Sequence, residues 1–225
     1  ENPEDHSIAY RDTHSALEKG VEEYESIKDI EDIARMTLKS LSVKDDKPIN
    51  IEEVCNRVRS EMKSTIGLTK NGTEYRKKQV TLGSESGISN RSIIHTIQFE
   101  KVPEAIKNLQ IEYEKAYNSS RPEEEYIKQI SKIYADFIFM QPYEDGNKRT
   151  AMCLFNSMLM SKGIVPPPIS LINDDQMVKA YYNAHEKDYE MLQSAVTEKY
   201  RGMVRSEAQN REETKKEESS KDIEK

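Results

Sequence analysis

A chain of 225 residues is long enough for one domain with tails and too short for a large multidomain machine. Its 34 Lys and Arg residues against 41 Asp and Glu residues give a formal charge of −7, which argues against electrostatic binding of the whole chain to nucleic acid or anionic lipid. With 33% charged residues, 35% hydrophobic residues and no Trp, part of the length is expected to be solvated tail and not core.

The composition also excludes several kinds of site. The two cysteines and four histidines show no ligand spacing with one another, so we expect no structural zinc site. No apolar run approaches the roughly 20 residues that span a bilayer, and the charged start ENPEDHS is unlike a signal peptide. We therefore expect no membrane contact and a cytoplasmic location, with a secreted effector as the alternative.

The first part of the chain predicts two helical stretches. Apolar residues recur at helical spacing over residues 14–43, which indicates one long or two consecutive amphipathic helices. The next stretch begins after Asn50, whose side chain can cap a helix, and continues to about Ile66. These helices are expected to serve as scaffold.

Residues 79–98 change character from helical to strand-like. Two β-favouring pieces, residues 80–82 and 93–97, flank a segment rich in Gly, Ser and Asn. This pattern predicts a β-hairpin with a long tip.

Two helices are predicted after the hairpin. The first opens at Pro103 and continues to Tyr117, and the second begins with Pro122 in its first turn. Apolar residues of the second recur at i, i+3, i+4, i+7 and i+8, and its last turn is apolar almost all round. It is predicted to be the central buried helix.

The remaining sequence predicts two more helices and a tail. Pro142 ends the central helix, and the next helix spans residues 147–162 with Gly163 as its stop. A final helical stretch is predicted from residue 174 to about residue 204. Beyond it the charges nearly balance and almost no residue is apolar, which indicates a solvated helix or a disordered tail.

The segment QPYEDGNKRT, residues 141–150, carries residue types that suit a phosphate site. Gly146 permits close approach of the backbone to a ligand, and the first N–H groups of the following helix favour anions. Lys148 and Arg149 add two cations there, and Asp145 could hold Mg²⁺ against bound phosphates. The alternative is a structural Asp-Gly turn that caps a helix beside two solvated cations.

This segment and the following AMCLFNSMLMSKGIVPPP resemble the signature loop and helix of the Fic family, commonly written HPFx(D/E)GN(G/K)R. The resemblance extends over about residues 50–195. The segment from Glu74 through the hairpin is similar to the flap that covers the Fic active site, and Lys179 to Tyr182 are similar to the family's tyrosine-bearing helix.

The resemblance implies an all-α Fic fold: a helical core with one β-hairpin flap. Together with the helical pattern and the composition, it divides the chain into an N-terminal helical segment over residues 1–48, a Fic domain over residues 49–204 and a charged solvated tail over residues 205–225. It also implies the family's reaction, which transfers AMP from ATP to a hydroxyl side chain of a target protein.

The resemblance further implies roles for individual residues. Asp145 matches the Mg²⁺ ligand and, with Arg149, belongs to the catalytic set, while Thr81 and Leu82 match the flap strand on which a target segment docks. The positions matched to nucleotide binding are Gly146, Asn147, Lys148, Arg149, Asn156, Tyr181 and Tyr182. The implied partners are the target protein and ATP, with Mg²⁺ as cofactor and no nucleic acid.

Two positions depart from the family pattern and leave alternatives open. Gln141 stands at the position of the catalytic His, and its amide cannot titrate, so we expect a slow or inactive form; whether this Gln is natural or engineered stays open. Lys148 stands where many AMP-transferring members have Gly, and GNKRTA also occurs in death-on-curing toxins, which phosphorylate their targets. The alternatives are therefore a protein phosphotransferase and a nucleotide-binding pseudoenzyme that acts as an interaction module.

An inhibitory glutamate is a further open point. Many Fic proteins carry one in an (S/T)xxxE(G/N) helix, where it pairs with a second motif Arg, but Met152 stands at that position here. Residues 194–199 keep the Ser and Glu spacing and end in Lys, which is weak support for an inhibitory role of Glu198.

Overall fold

The computed structural model describes residues 33, 35–37, 39–40, 47–65, 73–82, 94–167, 179–180, 183–184 and 186–223. Their secondary structure is predominantly helical, as the sequence predicts. The helices are α1 (Ile51–Thr65), α2 (Val102–Tyr117), α3 (Glu123–Met140), α4 (Asn147–Met160) and α5 (Glu190–Ile223). The strands are β1 (Thr81–Leu82) and β2 (Ile94–His95), followed by a 3₁₀ turn over Phe99–Lys101.

Helix α3 lies at the centre of the helical core. It packs against α2, α4 and α5, and α1 packs against α4. The side chains of Ile127, Ile130 and Phe137 are fully buried, which confirms α3 as the predicted central helix. Its position follows from a sequence that is apolar on more than one face, so that several neighbours are needed to cover it.

The ends of the helices follow the local signals with small corrections. Asn50 caps α1, because its Oδ1 accepts a hydrogen bond of 2.9 Å from the Glu53 N–H. Pro122 precedes α3 as its N-cap and does not lie in the first turn, since its ψ of 152° is extended. Helix α4 ends at Met160, two residues earlier than predicted, because Gly163 adopts a φ of 75° and the backbone closes with the Ile164 N–H bonded to the Leu159 carbonyl at 3.1 Å.

The C-terminal helix differs from the prediction at both ends. Helix α5 begins at Glu190, after Lys187 with a φ of 67° interrupts the helical residues that precede it; residues 174–178 lie outside the described residues. The helix then continues past residue 204 to Ile223. Leu192 and Val196 are buried, whereas the described side chains beyond Val204 are exposed.

The two strands pair antiparallel with Thr81 opposite His95 and Leu82 opposite Ile94. The tip between them lies outside the described residues, so the hairpin flap stays a prediction. Ile33 and Met36 belong to the same buried cluster as α1 and α4. The division into residues 1–48, 49–204 and 205–225 also stays a prediction.

Candidate active site

The loop of residues 141–147, called here the motif loop, forms a tight corner between α3 and α4. Gln141 ends α3 with φ 46° and ψ 62°, and Gly146 begins α4 with φ 72° and ψ 14°, so two left-handed residues bracket the corner. The left-handed region is uncommon for a residue other than glycine. Gln141 keeps it because the surrounding hydrogen bonds determine its position.

The Asn147 side chain connects residues of the motif loop to one another through hydrogen bonds. Its Nδ2 donates to the Tyr143 carbonyl at 2.9 Å and to Gln141 Oε1 at 3.0 Å, and its Oδ1 accepts from the Tyr143 N–H at 2.9 Å. The side chain is fully buried. Asn147 therefore acts in this structure as an internal support of the corner.

The Gln141 side chain points into the protein and is only 5% exposed. Its Nε2 donates to the Ile138 carbonyl at 2.7 Å, while its Oε1 accepts from Asn147. Both ends of the amide are thus engaged in holding the corner.

Arg59 supports the corner from α1. Its guanidinium, 3% exposed, lies 3.8 Å from the centre of the Tyr143 ring and donates to the Asp145 carbonyl at 2.8 Å and to Thr150 Oγ1 at 3.3 Å. Burial lowers the pKa of this guanidinium. Burial likewise raises the pKa of the neighbouring Cys55 thiol to about 12, so Cys55 is an uncharged packing residue.

Arg76, in the segment before β1, also supports the corner. Its Nε donates to the Gln141 carbonyl at 2.7 Å, and its backbone N–H donates to the Pro142 carbonyl at 2.9 Å. The guanidinium is buried, and desolvation lowers its pKa. Two arginines that are distant in sequence therefore hold the two ends of the motif loop.

The outer face of the corner carries the charged residues. Asp145 and Arg149 are half-buried, and Lys148 is exposed in the first turn of α4. Asp145 Oδ1 accepts a 2.5 Å hydrogen bond from the Gly146 N–H, which places the carboxylate at the start of α4. The first N–H groups of a helix have no partner within it, and the helix dipole is positive at this end. The arrangement suits a phosphate group.

The structure brings together six of the predicted site residues, all in the motif loop or the first turn of α4: Gln141, Asp145, Gly146, Asn147, Lys148 and Arg149. Asn156 lies nine residues after Asn147 on α4, about 13 Å along the helix axis, and is half-buried. Thr81 and Leu82 form β1. Tyr181 and Tyr182 lie outside the described residues, and the roles of all these residues stay predictions.

Sequence reasoning missed the supporting residues of the corner. Arg59 follows Cys55 by four residues on the buried face of α1, so an arginine on an apolar face was the available signal. Tyr143, fully buried between Arg59 and Tyr75, gave no such signal. Glu198 forms an ion pair of 2.6 Å with Arg201 on its own helix, and an inhibitory role for it stays a prediction.

Two open clefts lie away from the motif loop. One, of about 900 Å³, lies between Lys39 and the Glu53 side of α1, and the other, of about 670 Å³, lies beside Asp188 and Glu198. Both are lined mainly by charged and polar side chains and contain no residue of the motif loop. The chemistry of the corner, and not the depth of a cleft, is what marks it as the candidate site.

Within the described part of the chain, no group of three or more His, Cys, Asp or Glu residues could hold a metal ion. The helices described here also include none with the length and apolar character needed to cross a membrane.

A family model described as the Fic/DOC family matches residues 48–159, which include α1, the two strands and the entire motif loop. The chain belongs to the Fic/DOC family. A search of curated proteins finds no match.

Solved Fic structures share the fold. A Fic family protein from Desulfovibrio desulfuricans aligns with a TM-score of 0.57 at 15% identity over 80% of this chain and 54% of its own, so the chain spans about half the length of that protein. The N-terminal Fic domain of a VirB-translocated Bep effector from Bartonella quintana, solved with bound ADP, aligns with a TM-score of 0.53 at 14% identity over 78% of this chain and 83% of its own.

A third Fic structure, a Fic-domain signalling protein from Bacteroides thetaiotaomicron, aligns with a TM-score of 0.51 at 17% identity over 86% of this chain and 78% of its own. At these identities the likeness is one of fold. The Fic/DOC family covers AMPylation and related transferase reactions.

Proposed function

We propose that this chain is a Fic-type protein adenylyltransferase, which transfers AMP from ATP to a hydroxyl side chain of a target protein, and that Gln141 impairs it. The observation that carries the proposal is the corner between α3 and α4, where a left-handed Gly146 opens a helix of 14 residues beside Lys148 and Arg149. A helix N-terminus with adjacent cations favours phosphate. The ADP bound to the Bartonella quintana Fic domain supports a nucleotide as the ligand.

The nucleotide phosphates would lie over the first turn of α4. Gly146 lets the backbone approach them, Lys148 and Arg149 supply positive charge, and Asn147 keeps the corner in shape through its bonds to Tyr143. Asn156, Tyr181 and Tyr182 are the proposed contacts to the base and sugar.

Asp145 fits a Mg²⁺ ion that is shared with phosphate. Mg²⁺ usually takes one or two carboxylates and completes its shell with water and phosphate oxygens, and Asp145 supplies one half-buried carboxylate at the mouth of the anion site. Bound there, the ion would neutralise charge on the phosphates.

Transfer of AMP requires a proton acceptor. The target oxygen forms a bond to the α-phosphorus, the bond between that phosphorus and the bridging oxygen breaks, pyrophosphate leaves, and the hydroxyl proton must go to a base. An amide cannot accept it, and the Gln141 amide is already bonded to Ile138 and Asn147. Loss of a general base costs about 10² to 10⁴ in rate.

The target segment is proposed to dock by strand addition. In the two-stranded sheet β1 has β2 on one side, so the other edge of Thr81 and Leu82 is where an extended target peptide would pair. Main-chain hydrogen bonds would then hold the target hydroxyl near the corner.

Two alternatives have specific observations in their favour. The exposed Lys148 in the first turn of α4 supplies a cation beside the outer phosphates, which suits a phosphotransferase of the death-on-curing type. The fully bonded Gln141 amide suits a pseudoenzyme that binds nucleotide without turnover.

The test compares this chain with Gln141→His in a protein lysate with Mg²⁺ and ATP labelled in parallel at the α- or the γ-phosphate. We expect Gln141→His to label protein from the α-phosphate at about 10² to 10⁴ times the rate of this chain. Gln141→Asn, which keeps an amide, is the matched control and is expected to stay as slow as this chain. Gln141→His with Asp145→Asn is expected to lose the gain.

The other outcomes choose among the alternatives. Label from the γ-phosphate alone would make the protein a phosphotransferase. No label from either position, together with a rise of melting temperature on adding ATP and Mg²⁺, would favour the pseudoenzyme. No label and no thermal shift would contradict a nucleotide function for this corner.

A further inference from the structure

Arg76 joins two parts of the molecule that the proposed reaction must align. It lies between the base of the β1–β2 ladder and the motif loop, and its side chain is only 2% exposed. A buried guanidinium is costly unless its donors are all engaged. The acceptors of Arg76 therefore identify the segments that it holds together.

On the side of the corner, Arg76 binds the carbonyls at the C-terminal end of α3. Its Nε donates to the Gln141 carbonyl at 2.7 Å, and one of its terminal nitrogens reaches the Met140 carbonyl at 3.4 Å. A cation is favoured at this end of a helix, where carbonyls lack partners and the dipole is negative. Arg76 thereby fixes the left-handed turn at Gln141.

On the side of the strands, Arg76 donates to three acceptors, which lie on the segments before β1 and after β2. Its terminal nitrogens donate to the Lys78 carbonyl at 2.7 Å, to Thr96 Oγ1 at 3.2 Å and to the Ile97 carbonyl. Thr96 Oγ1 in turn donates to the Val80 carbonyl at 2.6 Å, next to β1. One side chain thus touches the segments before β1 and after β2.

These bonds use the planar fork of the guanidinium. Three of its nitrogens bond to acceptors in three separate segments, around residues 78, 96–97 and 140–141. A lysine carries the same charge as a single ammonium and cannot reach all of them from one rotamer. The charge alone would therefore not reproduce the connection.

We propose that Arg76 is a positioning residue that couples the β1–β2 ladder to the motif loop, so that a peptide paired with β1 is held in register with the residue at position 141. Its functional meaning rests on the proposed transferase activity. The mechanical coupling itself is independent of that activity, because it concerns two segments of the unliganded chain.

The test is hydrogen exchange of the full chain and of Arg76→Lys, with Arg57→Lys as the matched control. Arg57 is an exposed arginine on α1 that pairs with Glu53. We expect Arg76→Lys to speed exchange by about tenfold or more at both residues 80–82 and 94–97 and residues 141–147, as the loss of a hydrogen bond to a charged group would. Arg57→Lys should leave both unchanged.

Exchange that rises only in the strands, only in the motif loop, or equally throughout the chain would overturn the proposal, because a merely structural residue gives those patterns.

A second measurement uses ATP with Mg²⁺ as the probe. In this chain it should slow exchange at the motif loop and, through Arg76, at residues 80–82 and 94–97.

In Arg76→Lys the protection should stay at the motif loop and be lost at the strands, because none of the side-chain hydrogen bonds described for Arg76 is made to Asp145 or to the first turn of α4. Protection of the strands that survives in Arg76→Lys would refute the coupling. If ATP does not bind at all, the proposed function fails, and the exchange of the unliganded chains still decides the role of Arg76.

Discussion

At the scale of single residues, the motif loop is determined by buried polar groups that satisfy one another. The Asn147 side chain is hydrogen-bonded to both Tyr143 and Gln141. The Gln141 side chain is in turn hydrogen-bonded to the Ile138 carbonyl. A buried polar group that loses its partner costs more than the bond contributed, because nothing replaces the lost solvation. The residues of the corner are therefore coupled, and a change at one affects the others.

Asn147→Ala is expected to lower the free energy of unfolding by about 2 to 3 kcal/mol. It removes three hydrogen bonds inside the corner and leaves the Tyr143 backbone and the Gln141 carboxamide oxygen without this partner. Denaturant unfolding measures the change. Asn118→Ala, at the exposed end of α2, is the control and should shift stability by less than about 0.5 kcal/mol. Equal effects of the two substitutions would contradict the role given to Asn147.

At the scale of elements, the ends of the helices decide where the site lies. A left-handed Gln141 follows the end of α3, a left-handed Gly146 precedes α4, and a left-handed Gly163 lies three residues after α4 ends at Met160. Helices α3 and α4 pack against each other, and the short corner between them is held by the hydrogen bonds of Asn147 and Arg76. The backbone conformation of these few residues therefore determines the position of the site as much as the helices do.

Two glycines give a matched pair for this point. Gly163 has a φ of 75°, Gly202 lies within α5, and a methyl group added to either meets nothing within 4 Å. Gly163→Ala should destabilise the protein by about 1 to 2 kcal/mol, because only the left-handed strain acts. Gly202→Ala should stabilise it by up to about 1 kcal/mol through helix propensity. Denaturant unfolding distinguishes the two, and shifts of the same sign would contradict the backbone argument.

At the scale of the whole molecule, α5 closes the helical core against α3. Leu192, Ala195 and Val196 are buried there, and Arg201 forms a two-pronged pair with Glu124 at 2.8 Å on each side. The pair is partly exposed and contributes little by itself. The apolar residues of the first turns therefore provide the attachment, and the helix beyond Val204 shows only exposed side chains among those described.

Truncation of the chain tests whether the buried first turns of α5, and not its exposed extension, attach the helix to the core. A chain that ends at Val204 should unfold within about 1 kcal/mol of the full chain, because it keeps every described buried residue of α5. A chain that ends at Asp188 should lose its cooperative thermal transition, because it uncovers the α5 side of α3. Circular dichroism during heating measures both, and a large loss of stability in the longer truncation would show that the extension beyond Val204 packs.

The sequence by itself determined what local patterns can encode. Helical periodicity placed α1, α2, α3 and α4 within about two residues, Asn50 and Gly163 marked ends, and QPYEDGNKRT indicated both the family and an anion-binding corner. These features depend on neighbours a few residues apart, so they are visible without a fold. The same local view placed Pro122 wrongly and missed the break of the last helix at Lys187.

Only the tertiary structure decided what supports the corner. Arg59 and Arg76 reach the motif loop from residues 86 and 65 positions away in the chain. The Gln141 side chain turns inward because it donates to the Ile138 carbonyl and accepts from Asn147 there. Buried polar groups must find partners wherever the folded chain brings them, and no local pattern states which long-range acceptor they will meet. The sequence thus specified the chemistry of the corner, and long-range packing specified its shape.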